Sequence, residues 1–179
     1  KVFRDTIIIP SIDFYAQHGA NRNAMLANPK KWADTFHTAY EKRAAKVRTR
    51  QGLRKLLKRL HAKEIPCILL SNHTHDGILR QLKRLRLETA FDAVLCNHAH
   101  DATLKKRTKL GRLKTYLKKT GIAAKKVWLL GDSPEETRMA RAVGAVSISI
   151  CGGYYSEKRL RAAKPDRLTG SLLEVAGLL

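Results

Sequence analysis

The sequence predicts an α/β fold, a Rossmann-like parallel sheet with helices on both faces and a small helical insertion near its start. Three observations predict it. Apolar runs of strand length recur along the chain from residue 67 onward. Between them lie stretches whose apolar residues fall at helical spacing. Each such strand–helix–strand step implies a right-handed crossover, and ligands of such sheets sit beyond the carboxyl ends of the strands.

Taken in order, residues 6–9 (Thr-Ile-Ile-Ile) are the first predicted strand. Residues 14–46 then carry no strand pattern. Trp32, Phe36 and Tyr40 recur four apart there, so the segment is predicted helical and is assigned as a cap or docking surface. Residues 1–13 and 47–179 are assigned to the core. Residues 51–63 place Leu53, Leu56, Leu57 and Leu60 on one helical stripe, and Pro66 ends that pattern. Residues 67–70 form the next strand and 77–87 a helix through Ile78, Leu79, Leu82 and Leu85. A strand at 93–96, a helix at 112–119 stopped by Gly121, and a strand at 127–130 follow. A helix at 134–143, a strand at 146–150 and a short helix at 171–178 complete the pattern. The residues placed to meet a ligand are therefore 10–15, 71–76, 97–101, 131–136 and 152–155.

At 179 residues the chain has room for one ordinary domain, and no apolar run approaches membrane-spanning length. Lys and Arg number 36 against 15 acids, a formal charge of +21. Such an excess attracts polyanions. Cys67, Cys96 and Cys151 are odd in number and far apart, which suits neither a disulfide framework nor a CxxC knuckle, so buried thiols in a reducing compartment are expected.

The strand-end residues together carry a resemblance. Val127-Trp-Leu-Leu-Gly-Asp-Ser-Pro-Glu-Glu136, then Arg138 to Ala145, resembles the fourth motif of the haloacid dehalogenase-like superfamily, phosphoglycolate-phosphatase-like branch. Ile150-Cys-Gly-Gly-Tyr-Tyr-Ser-Glu157 and Lys164-Pro-Asp-Arg-Leu168 resemble its glycine-tyrosine loop and final strand, and Leu69-Leu-Ser-Asn72 its second motif. The resemblance implies Asp132 and Glu136 as ligands of a Mg²⁺ ion and Ser71 and Asn72 as phosphate-binding residues. It also implies a third-motif cation, assigned to Lys109 with Lys106 and Arg107 as alternatives. No cofactor is otherwise expected, Mg²⁺ being retained only if the residual site still binds it.

The first motif of that family supplies an aspartate nucleophile and a second aspartate as acid/base two residues later. Laid after residues 6–9, it puts Ser11 at the nucleophile and Asp13 at the acid/base, with Phe14 and Tyr15 in place of Gly and Thr. A rival frame over Asp5-Thr6 leaves Arg4 or Phe3 at the nucleophile. Neither frame has a carboxylate there. The expectation is a pseudophosphatase; the alternative is a Mg²⁺-dependent phosphatase acting on nucleic-acid ends or a phosphorylated metabolite.

Two further patterns lie outside the resemblance. Asn72-His-Thr-His-Asp76 and Asn97-His-Ala-His-Asp101 repeat one phrase after two strands, and four histidines so placed suggest a possible Zn²⁺ site or exposed loop histidines. Residues 42–63 and 104–126 are rich in cations and contain no acid. Arg48, Arg54, Lys58, Arg59, Lys105, Lys106, Arg107, Lys114 and Lys118 are the RNA-binding candidates from these runs. Aromatics make up 6% of the chain, which favours backbone contacts to folded RNA over base stacking. The expected partners are RNA, above all ribosomal RNA, and neighbouring proteins of a large ribonucleoprotein such as a mitochondrial ribosome, with no membrane. Mitochondrial location, or otherwise another reducing intracellular compartment, is part of that expectation, a removed targeting peptide being one reading of a start at Lys1. A docking module for acidic proteins is the further alternative.

Overall fold

The computed structural model describes residues 2–8, 11–98 and 108–179. In chain order the elements are α1 (Val2–Thr6), α2 (Ser11–Gln17), α3 (Arg22–Ala27), α4 (Pro29–Ala44), α5 (Leu53–Ala62), β1 (Ile68–Thr74), α6 (His75–Leu85) and β2 (Ala93–Asn97). There follow α7 (Lys109–Thr120), a 3₁₀ turn (Ala124–Lys126), β3 (Trp128–Gly131), α8 (Pro134–Val143), β4 (Val146–Ile150), α9 (Glu157–Ala162), β5 (Arg167–Thr169) and α10 (Leu172–Gly177). The chain forms two compact units, one of Lys1–Arg22 with Tyr116–Leu179, the other of Asn23–Thr115. All strand pairing is parallel. No helix among the described residues is long and apolar enough to cross a membrane.

In the first unit the strand order is β3-β4-β5. The expected helix at 134–143 and strand at 146–150 form with those bounds. Helix α8 starts on a capping box at Ser133, with Pro134 at its first turn where a missing N–H costs nothing. It ends at Gly144, whose φ of 77° favours a residue without Cβ. Met139 and Ala140 of α8, Ile148 and Ile150 of β4, Leu160 of α9, and Val175 and Ala176 of α10 are buried together as its core.

Strand β5 is held to β4 by a side chain as well as by the ladder. The Asp166 carboxylate accepts from the Ser147 N–H at 2.8 Å and the Ser147 hydroxyl at 2.6 Å, while Ser147 Oγ accepts from the Asp166 N–H at 2.9 Å. The bonds from the Ser147 hydroxyl and amide hold this carboxyl below its ordinary value. A depressed pKa stabilises the fold above the unfolded-state value and ceases to do so as pH falls through the folded value. Asp166→Asn is therefore expected to lower stability by about 1 kcal/mol at neutral pH, a modest figure because the site is exposed. Urea midpoints of the two proteins should converge below pH 4, the ordinary aspartate range; a gap that persists into strong acid would refute the linkage.

The segment before this sheet departs from the expected strand at residues 6–9. Val2–Thr6 is helical, residues 7 and 8 take no regular structure, and Ile9 lies outside the described residues. The reason is tertiary. Phe3 packs edge-on against Phe14 at 5.5 Å and at a tilt against Tyr154 at 6.1 Å. The Arg4 carbonyl accepts from the Ser156 N–H at 3.1 Å, and the Ile7 carbonyl from Arg159 Nη1 at 2.5 Å. Carbonyls that a strand would offer to a neighbour already have donors, and this outweighs the β preference of Thr and Ile.

In the second unit β1 and β2 pair as Ile68↔Ala93, Leu69↔Val94 and Leu70↔Leu95, then as Thr74↔Asn97. Ser71, Asn72 and His73 thus oppose the single residue Cys96, a bulge that re-aims all three side chains. β1 runs four residues beyond the predicted strand end at 70. Residues 14–46 carry helices and, among the described residues, no strand. Leu56, Leu82, Leu87, Cys96 and Leu113 are buried in this unit. Two arginines brace its helix ends. Arg84 Nη2 donates to the carbonyls of Ala44 at 3.1 Å and Val47 at 2.6 Å at the end of α4. Arg54 Nη2 donates to the Leu85 carbonyl at 2.6 Å at the end of α6. Both place a cation against the negative end of a helix dipole. The three cysteines are free thiols, and burial, with Asp92 adding to it, pushes Cys67 up to about 11.

Candidate functional site

In the first unit the candidate loop is 131–136. Asp132 directly follows the β3 strand and packs on the glycine loop after β4, its Oδ2 accepting from the Tyr154 N–H at 3.4 Å. A Cβ on Gly153 would overlap the Asp132 side chain, so glycine is required for that approach. Glu136 turns back onto its own helix start. Its Oε2 accepts from the Ser133 hydroxyl at 2.6 Å and the Ser133 N–H at 3.2 Å, while Ser133 Oγ accepts from the Glu135 N–H at 3.1 Å. Gly131 leaves room for it, since a Cβ there would sit 2.6 Å from Glu136 Cδ.

The two carboxylates named as Mg²⁺ ligands therefore have different work. Asp132 is a loop acid beside a glycine turn, and Glu136 completes a capping box. Mg²⁺ requires several oxygen donors in near-octahedral array. Among the described residues no group of three or more His, Cys, Asp or Glu is placed to hold a metal ion. Mg²⁺ commonly completes its shell with water and substrate phosphate around one or two carboxylates. In this loop Glu136 Oε2 is engaged with Ser133, while Asp132 stays at the strand end.

Ser11 and Asp13 lie in the first turn of α2 rather than at a strand end. Asp13 pairs with Arg22 at 3.2 Å on the surface. Asp5 of the rival frame lies in α1.

In the second unit the strand ends meet a cation that the sequence assignment missed. Arg112, one turn into α7, donates from Nη1 to Asn97 Oδ1 at 2.5 Å. Its Nη2 donates to the Ser71 carbonyl at 2.9 Å and to Asn72 Oδ1 at 3.0 Å. Asn97 Nδ2 in turn donates to the Asn72 carbonyl at 2.6 Å, and Asn97 is 3% exposed. The guanidinium fork thus ties α7 to the ends of β1 and β2. Ser71 Oγ accepts from the His73 N–H at 3.1 Å. The assigned cation, Lys109, opens α7 three residues earlier and is half-buried; Lys106 and Arg107 lie outside the described residues, as does Lys105.

The repeated Asn-His-x-His-Asp phrase is the signal that points here. Its asparagines, Asn72 and Asn97, converge on Arg112. Of its described histidines, His75 and His98 meet while His73 turns elsewhere. His73 turns into a cluster on α4, with Nε2 2.7 Å from Glu41 Oε1 and its ring against His37 and Tyr40 at 5.6 and 5.1 Å. His75 stacks on His98 at 5.9 Å, and His100 lies outside the described residues. No zinc site assembles from the described histidines.

Of the RNA-binding candidates, Arg48, Lys58, Arg59, Lys114 and Lys118 are exposed. Arg54 is exposed as well, but its guanidinium is held on the Leu85 carbonyl.

The sequence matches the haloacid dehalogenase-like hydrolase family over residues 3–150, a span that includes both frames of the first motif. No curated protein sequence matches it. Solved structures do share its fold. A haloacid dehalogenase-like hydrolase from Streptococcus pneumoniae aligns with a TM-score of 0.77 at 16% identity, covering 94% of this chain and 76% of that one. A predicted phosphoglycolate phosphatase from Haemophilus somnus aligns with a TM-score of 0.68 at 15% identity, covering 80% and 63%. A haloacid dehalogenase-like protein of unknown function from Agrobacterium tumefaciens aligns with a TM-score of 0.67 at 17% identity, covering 89% and 77%.

Proposed function

The chain belongs to the haloacid dehalogenase-like hydrolase family, and from that membership we propose that it is a catalytically silent member whose work is to hold RNA. The observation that carries the first half is at the first motif. Either frame leaves the nucleophile position without a carboxylate, as Ser11 or as Arg4 or Phe3. A serine hydroxyl lacks the anion that attacks phosphorus, and removing such a nucleophile costs several powers of ten in rate. The capping role of Glu136 supports the same reading, since it removes a carboxylate from the metal set.

The second half rests on charge. A formal +21 on 179 residues favours a polyanionic partner, and the acid-free runs put much of it on exposed helix faces. Our reading is a structural or assembly component of a large ribonucleoprotein, such as a mitochondrial ribosome, contacting ribosomal RNA and neighbouring proteins.

A phosphatase assay with an aryl phosphate and Mg²⁺ tests silence. The expected turnover equals that of Asp132→Asn at every Mg²⁺ concentration. Turnover well above background that Asp132→Asn abolishes would establish the other reading, a working phosphatase.

A further inference from the structure

Within the second unit three helix ends meet: the end of α4, the end of α6 and the start of α5. Arg84 ties α6 to α4 through the Ala44 and Val47 carbonyls, and Arg54 ties α5 to α6 through the Leu85 carbonyl. The helix-end carbonyls, the local source of negative partial charge, thus already have guanidinium donors. Around this braced corner stand Lys46, Arg48, Lys55, Lys58, Lys83 and Arg86, all exposed. Residues 42–63, which carry four of these six, contain no acid, while Glu41, Glu64 and Glu88 border the corner along the chain.

We propose that this corner is a docking surface for the phosphate backbone of double-helical RNA. The proposal rests on the RNA-binding reading above and deepens it. Two features favour a duplex. The cations stand on helix ends fixed to one another by side-chain bonds, so they present a set spacing, which suits a rigid array of phosphates. The exposed large apolar residue of the corner is Val47, and the exposed aromatics Trp32 and Phe36 lie toward the other end of α4. Base stacking, which single-strand binding uses, therefore has no platform here. An anionic membrane surface is less well suited, because an interfacial helix needs an exposed aromatic or leucine face beside its cations.

Two arginines of the corner, Arg54 and Arg84, accordingly do a different job from the other cations. Arg54 and Arg84 set its shape, and the lysines beside them meet phosphate. The test uses the full chain, a short RNA duplex, one strand of it alone, and vesicles of phosphatidylserine and phosphatidylcholine. Lys55→Glu/Lys58→Glu/Lys83→Glu is compared with Lys114→Glu/Lys118→Glu on α7, both checked by circular dichroism for an intact fold. The corner variant is expected to weaken duplex binding at least tenfold and to flatten the log–log salt dependence by roughly two. The α7 variant is expected to change it less. Duplex binding that the α7 variant reduces and the corner variant leaves intact would overturn the corner while keeping the RNA reading. Tighter binding to the single strand, or to the vesicles, would overturn the duplex as its partner. Absence of binding to either RNA form would overturn the RNA reading itself.

Discussion

Replacing Arg112 by methionine is expected to lower the free energy of unfolding by about 3 kcal/mol. The guanidinium satisfies Asn97 Oδ1, the Ser71 carbonyl and Asn72 Oδ1 at once, at the ends of two neighbouring strands. Methionine keeps much of the stem's volume but removes the guanidinium donor from all three acceptors, and Asn97 is too buried for water to take its place. Arg112→Lys should recover part of the loss, since one ammonium cannot reproduce a planar fork spanning three acceptors. Urea denaturation of the three proteins measures this. A methionine variant within about 0.5 kcal/mol of the parent would show the cluster to be idle.

Gly77→Val is expected to cost about the same, roughly 3 kcal/mol, by a different route. Gly77 is buried in the first turn of α6. A Cβ there would overlap His73 Nε2 and come within 2.9 Å of Glu41 Oε1. An exposed side chain would move aside at little cost. His73 has no such freedom, because its ring is lodged against His37 and Tyr40 while its Nε2 meets Glu41. The contact between α4 and α6 should loosen. Limited proteolysis is expected to cut α4 sooner in the variant, with Gly77→Ala intermediate. Unchanged protection would mean that the histidine cluster yields more easily than its packing implies.

Much of the α/β pattern was legible because burial leaves a periodic trace. Residues 134–143 and 146–150 read as helix and strand from apolar spacing, with Ser133, Pro134 and Gly144 marking boundaries by their own local chemistry. Residues 6–9 misled for the opposite reason. Thr and Ile favour strands, but Phe3, Phe14 and Tyr154 pack around a helical turn, and nothing local in the sequence records that contact.

The candidate site divides in the same way. Glu136 belongs both to the Asp132–Glu136 metal spacing and to the Ser133–Glu136 capping spacing, and the two are told apart by the carboxylate's direction. Arg112 was hidden among the many cations of a basic run, where spacing gave no reason to choose it over Lys109. The repeated asparagines were visible, but the histidines beside them drew the chemical interpretation. A long guanidinium reaching back across a strand end leaves no periodic mark.

On the proposal that the chain is catalytically silent, the Glu136 cap also bears on whether it can travel back toward catalysis. Glu136 holds the helix start through Oε2, so each substitution that turns the side chain away first removes a contribution of about 1 kcal/mol to stability. The loss comes with the first step and the gain, if any, only after a nucleophile has been rebuilt elsewhere in the chain. Between the two lies a valley that single substitutions do not cross without passing through a less stable protein. The carboxylate that looks most like a remnant of chemistry is thus the one that makes the return path steep.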